Sequence, residues 1–166
     1  MTVSIIFRGV RDGDGDIGAA FSHYGAGRSS IEIRYGETRI VLDGARLANH
    51  NKTITIGDCV VAALDAGNGG GATIVHAGAR AICHVTGASS GVPASLRNAA
   101  LHSDLLIFGG AWADGLRFKE ALGARLLAII DHPVDRSDAE LAATAADVAA
   151  RHPDVFFARS GCKLDL

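Results

Sequence analysis

The chain has 166 residues, enough for one domain with its own core and too few for two comfortable ones. Hydrophobic residues make up 48% and charged residues 20%, which excludes a disordered chain. A net charge of −2 removes the electrostatic case for binding a nucleic acid polymer or an anionic membrane.

The first residues, MTVSIIFRGVRDGDGD, lack a cationic start followed by an apolar run, so no secretory signal is expected. No apolar stretch approaches the length of a membrane span. Cys59, Cys83 and Cys162 are odd in number and have no C-x-x-C spacing, which predicts free thiols in a reducing cytoplasm.

VSIIF (3–7) reads as a first strand, followed by a Gly- and Asp-rich loop over 8–28. SIEIRY and TRIVLD alternate as strands, and Gly36-Glu37 between them suits a two-residue turn with Gly first. KTITIGD (52–58) reads as a strand, and CVVAALDA (59–66) as a short helix or a buried strand. NGGG (68–71) is a break. ATIVHAGARAICHVTG (72–87) predicts a second hairpin turning near Ala77-Gly78. SLRNAALHS (95–103) reads as helix.

The rest alternates: strand 104–110, helix 112–123, strand 124–131, helix 137–152, and a last strand 155–161. Ser137 and Glu140, three apart, form a capping box that starts the second of these helices. Leu141, Ala145 and Val148 share one of its faces. This order implies parallel pairing through right-handed crossovers. With no repeat and no linker, residues 1–166 read as a single domain.

Several short motifs bear on chemistry. DGDGDIG (12–18) begins like a calcium loop, but its Gly comes one place late and His23 stands where the bidentate Glu belongs; a solvated loop is the better reading. RDGD (11–14) has the Arg-x-x-Asp spacing with which diguanylate cyclases bind cyclic di-GMP. There Arg forks a phosphate or a guanine edge while Asp accepts from guanine. The chain holds 13 Arg and 14 Asp, so chance supplies about one such match, and RHPD (151–154) is a second. The candidate ligand set is therefore Arg8, Arg11 and Asp14, with Asp131 and His132 at the rim. GNGGG (67–71) lacks the Lys and Ser/Thr of a P-loop and reads as a turn. Ser89-Ser90 lack a G-x-S-x-G frame and read as loop serines. Trp112 and Phe118 read as core or subunit contacts.

Two segments together, SSIEIRYGETRIVLDGA (29–45) and the stretch from HSDLLIFGG through DRSDAEL to the C-terminus, resemble the metallo-β-lactamase superfamily, above all its bacterial phosphodiesterase-like branches. The likeness covers more than half the chain. It implies an α/β, αββα sandwich: two mixed sheets face to face with helices outside, here truncated in the middle. Enzymes of that family hold two metals, usually zinc, through H-x-H-x-D-H, a further His, a bridging Asp and a terminal His, which together make a hydroxide nucleophile.

This chain departs from that pattern. None of its seven histidines is spaced H-x-H. Gly87 stands where the bridging Asp would be, and Asp131, followed by His132, where the terminal His would be. No cofactor is expected and no binuclear metal site. If any metal is held, the candidates are His76, His84, Asp131 and His132. The expected function is a non-catalytic ligand- or partner-binding regulatory module, sensing a cyclic dinucleotide such as cyclic di-GMP or another phosphate-bearing ligand. The alternatives are a residual metal-dependent hydrolase or phosphodiesterase with a rebuilt site, and a structural self-assembling module. A mean hydropathy of +0.22 and sheet edges opened by the truncation predict a homo-oligomer, a dimer first.

Overall fold

Two sheets form the body of the molecule, in a computed structural model that describes residues 1–11, 24, 29–43, 52–88 and 91–166. The smaller sheet contains β1 (Val3–Gly9), β2 (Ser30–Tyr35), β3 (Thr38–Asp43) and β11 (Lys163–Asp165), in the order β11-β1-β2-β3. All its pairings are antiparallel, so it is not mixed as expected. Its inner face follows from period-two burial: Val3, Ile5 and Phe7 are buried while Arg8 points out. Gly36 takes a positive φ of 56° in the turn that sets Tyr35 opposite Thr38. A Gly-first two-residue turn requires that conformation.

The larger sheet is mixed. It contains β4 (Lys52–Ile56), β5 (Cys59–Gly67), β6 (Gly70–Ala77), β7 (Arg80–Thr86), β8 (Leu105–Gly109), β9 (Leu126–Ile130) and β10 (Val155–Phe157), ordered β10-β9-β8-β7-β6-β5-β4. The strands from β4 to β7 pair antiparallel, and those from β7 to β10 pair parallel. β8 is buried at every residue, as a parallel strand covered on both faces should be. Residues 59–66, open between helix and strand, are strand; alternate burial of Cys59, Val61 and Ala63 marks their inner face. The break at 68–71 is confined to Asn68-Gly69, and the next hairpin turns at Gly78-Ala79, one residue later than expected.

Among the described residues the helices are α1 (Ala94–Ala100), α2 (Trp112–Leu122) and α3 (Asp138–Arg151). All three lie on the larger sheet: α1 against β5, β6 and β7, α2 against β8 and β9, α3 against β10. α2 comes so close that a Cβ on Gly115 would stand 2.8 Å from Ile129 Cδ1. Phe118 packs its ring 5.1 Å from that of Phe108. The capping box at Ser137 and Glu140 is present. Among the described residues no helix is long and apolar enough to cross a membrane.

One strand carried no signal in the sequence. After β10 the chain returns through 158–162, and Lys163–Asp165 adds to the free edge of β1. Phe7 meets Phe156 edge to face at 6.2 Å, which ties the two sheets together near this return.

Candidate functional site

The parallel strands end together, and their ends are built from small or left-handed residues. β7 runs into Gly87 (φ 68°), β8 into Gly110 (φ 141°), and β9 into Asp131 (φ 55°). Asp is one of the few side chains that tolerates the left-handed region. Its carboxylate folds back over Gly109, where an added Cβ would collide with Asp131 Oδ2. Gly109 and Asp131 are thus a matched pair.

Two adjoining cavities open here, of about 390 Å³ and about 360 Å³. Gly110, Ala111 and Asp131 line both. The larger has an apolar wall of Trp112, Ile129, Leu141 and Phe157, with Asp131, His132, Arg136 and Thr144 as its polar groups. The smaller is lined by Gly87, Gly109 and Asp114 among others. A crevice at the carboxyl ends of parallel strands is the usual ligand position in an α/β sheet.

The turn that carries Asp131 is fastened from behind. His132 N–H donates to Val10 O at 2.8 Å, and Asp131 N–H to Ser29 Oγ at 3.3 Å. Arg11, 1% exposed, sends its guanidinium into the same turn. Its Nη1 donates to Pro133 O at 2.7 Å and Arg136 O at 2.6 Å, and its Nη2 to Asp138 Oδ1 at 2.9 Å. Asp138 also accepts from the Tyr24 backbone N–H at 3.2 Å. These charge-assisted bonds tie the buried guanidinium to two main-chain carbonyls of the turn and to the start of α3.

His132 is buried in this support. Its Nε2–H donates to Ala158 O at 2.9 Å. Its ring stacks on Phe157 at 5.5 Å and meets Tyr24 edge-on at 5.1 Å. Burial pushes its imidazole down from 6.5 to about 4, with Arg11 pressing the same way and the Ala158 carbonyl and Asp138 opposing.

The predicted ligand set therefore separates. Asp131 and His132 line the cleft. Arg11 braces the cleft from inside the protein, so the expectation that it meets a ligand's phosphates is corrected by its burial and its committed donors. Arg8 lies on the outer face of the smaller sheet, with Nε 2.7 Å from Glu32 Oε2, and not in the cleft. Arg34 and Arg39 join it on the same carboxylate. Burial works against the charge of Glu32, but hydrogen bonds from Arg39, Arg34 and Arg8 outweigh it and hold the carboxyl near 2, from 4.5. Asp14 lies outside the described residues, as do most of the 8–28 loop and Ser89-Ser90.

The cleft cation that sequence reading missed is Arg136. It is exposed at the rim, and among the described residues its guanidinium makes no ion pair. DRSDAEL contains it, but as the residue before a helix cap it resembles any surface arginine.

The fallback metal set does not assemble. In the β6–β7 register His76 pairs with Ala81 and His84 with Thr73. Those partners are an odd number apart from the other histidine, so the two imidazoles project to opposite faces of the sheet. His76 is exposed, whereas His84 is buried between the sheets with Nε2 unpartnered, and burial pushes it down from 6.5 to about 4. His132 is turned onto Ala158. Among the described residues, no three His, Cys, Asp or Glu side chains are grouped to hold a metal ion. These residues do not fit a binuclear centre.

No family model and no curated protein matches the sequence. Solved structures do match its fold. A diphosphatase from the PhnP family aligns at a TM-score of 0.74 and 13% identity, over 100% of this chain and 98% of its own. The metallo-β-lactamase fold protein YhfI from Bacillus subtilis aligns at 0.72 and 12% identity, over 100% of both chains. Zn²⁺-bound PqqB from Methylobacterium extorquens aligns at 0.64 and 12% identity, over 98% of this chain and 100% of its own. The chain has the metallo-β-lactamase fold.

Proposed function

We propose that this metallo-β-lactamase-fold protein is a non-catalytic, regulatory binding module whose ligand sits in the twin cleft at Asp131. The observation that supports this is the pair of residues at the strand ends. Gly87 (φ 68°) and Asp131 (φ 55°) occupy the places where the resemblance puts a bridging Asp and a terminal His. Among the described residues, what lines the twin cleft is the Asp131 and Asp114 carboxylates, the Arg136 guanidinium and an apolar wall. That combination suits binding better than hydroxide generation.

The ligand class follows from the same groups. Arg136 supplies a fork for a phosphate, Trp112 an aromatic face for a base, and Asp131 an acceptor for amide or amino hydrogens. A nucleotide fits this chemistry, and a cyclic dinucleotide such as cyclic di-GMP is the specific member proposed, held by Arg136 in place of Arg8 and Arg11. The compartment proposed is the cytoplasm. Cys59 and Cys83 are buried free thiols, and burial pushes Cys83 up to about 12, so neither is poised for disulfide exchange.

Calorimetric titration with GMP, cyclic di-GMP and inorganic phosphate tests the reading. Binding of a nucleotide that weakens by roughly tenfold or more in Arg136→Ala is the expected result, since a charge-assisted bond contributes about 1.5–3 kcal/mol. Chelator-sensitive phosphodiesterase activity would instead favour the residual hydrolase.

A further inference from the structure

We infer that a second copy of this chain pairs with β4, joining two larger sheets edge to edge through an antiparallel strand contact about a two-fold axis. β4 is the last strand of the larger sheet among the described residues, and all five of its residues are exposed. Ile54 and Ile56 are 43% and 37% exposed, and Val60 on the neighbouring β5 is 40% exposed. Exposed branched apolar side chains on the last described strand of a sheet are a template for another strand.

Among the described residues, this edge has few of the usual protections. β4 contains no Pro, and its register with β5 runs without a shift from Lys52↔Ala63 to Ile56↔Cys59. Its single charge is Lys52, at its first residue. The molecule's other edges differ. β10 and β11 are three residues long, β11 carries Lys163 and Asp165, and β3 carries Arg39.

The occupant is indicated by self-complementarity. One symmetric antiparallel register pairs every residue of β4. It sets Ile54 against its own copy at the axis, Thr53 against Thr55, and Lys52 against Ile56. In that register the two lysines sit at opposite ends and no like charges meet. Thr–Thr and Ile–Ile neighbours are favourable cross-strand pairs. Val60, level with Thr55 in the β4–β5 register, adds an exposed apolar side chain on the face opposite Ile54 and Ile56. Such a contact is isologous and closes as a dimer, so it does not propagate into fibres.

Light scattering over a micromolar concentration range tests the inference, with Ile54→Lys as the variant. The wild type should show the mass of two chains, and Ile54→Lys the mass of one with an unchanged circular dichroism spectrum. A wild type that stays a single chain, or a variant that stays a dimer, overturns it. Amide hydrogen exchange on the wild type decides independently if the variant does not fold. Exchange at 52–56 should slow as concentration rises through the dimerisation range; exchange there that does not respond to concentration also overturns the proposal.

Discussion

Arg11 and Arg136 meet at one turn and do opposite work. Arg11 donates to the main-chain carbonyl of Arg136 from inside the protein, while the Arg136 side chain stands at the cleft rim. Arg11→Ala should therefore cost stability, on the order of 3 kcal/mol in urea unfolding, because it removes a buried guanidinium and its three bonds to Pro133 O, Arg136 O and Asp138. Arg11→Lys should not restore it, since an ammonium cannot reproduce the fork. Arg136→Ala should stay within about 0.5 kcal/mol of the wild type, as exposed substitutions do.

The buried histidines give the acid side of stability its shape. His84 and His132 are held neutral when folded, near 4, against 6.5 for the free group. The unfolded chain takes up their protons first, so stability is full above about 6.5 and falls as pH drops toward 4. Glu32 acts in a lower window: its stabilisation is present above 4.5 and lost as pH falls toward 2. His84→Leu should flatten the upper part of a plot of Tm against pH and leave the Glu32 part in place. It should also raise stability by about 1 kcal/mol at neutral pH, by removing an unpartnered buried nitrogen. A drop in stability at neutral pH would show that the imidazole holds an interaction it lacks in this structure.

At the scale of elements, signals worked where a local physical device carried them. The capping box at Ser137 predicts the start of α3 because Glu140 N–H and the Ser137 side chain meet wherever that helix forms. Ser137→Ala should cost about 1 kcal/mol. The first hairpin was legible for a similar reason, since Gly36 supplies the backbone angle that the turn requires. Other elements had no local device. β11 is three residues with alternating charge, stable only because β1 offers an edge; nothing in KLDL signals that. Residues 59–66 were ambiguous because an apolar run of that length fits either element, and register with β6 decides it. The glycine that opens β6 is likewise explained only in three dimensions. Gly70 brings β6 so near the end of β7 that an added Cβ would lie 2.8 Å from Ala88 N and Thr86 O. Gly70→Ala should lower Tm measurably, at about 1–3 kcal/mol, because backbone and not a movable side chain stands in the way.

For the molecule as a whole, the two-sheet architecture was readable because the hairpin and the later strand–helix alternation occur in an order that few folds share. The cleft was readable in part. Asp131 and Gly87 were placed by their positions at strand ends, which sequence preserves. Arg8 and Arg11 were misplaced because an Arg-x-x-Asp spacing says nothing about which arginine the fold buries. Their roles were set by partners more than a hundred residues away in the case of Arg11, and by a neighbouring strand in the case of Arg8.

The proposed function puts a binding cleft where enzymes of this fold carry metals. Elemental analysis of the protein purified from zinc-supplemented culture tests it most directly. Zinc well below one equivalent per chain is the expected result; two equivalents, retained through gel filtration, would mean that the site still holds metals.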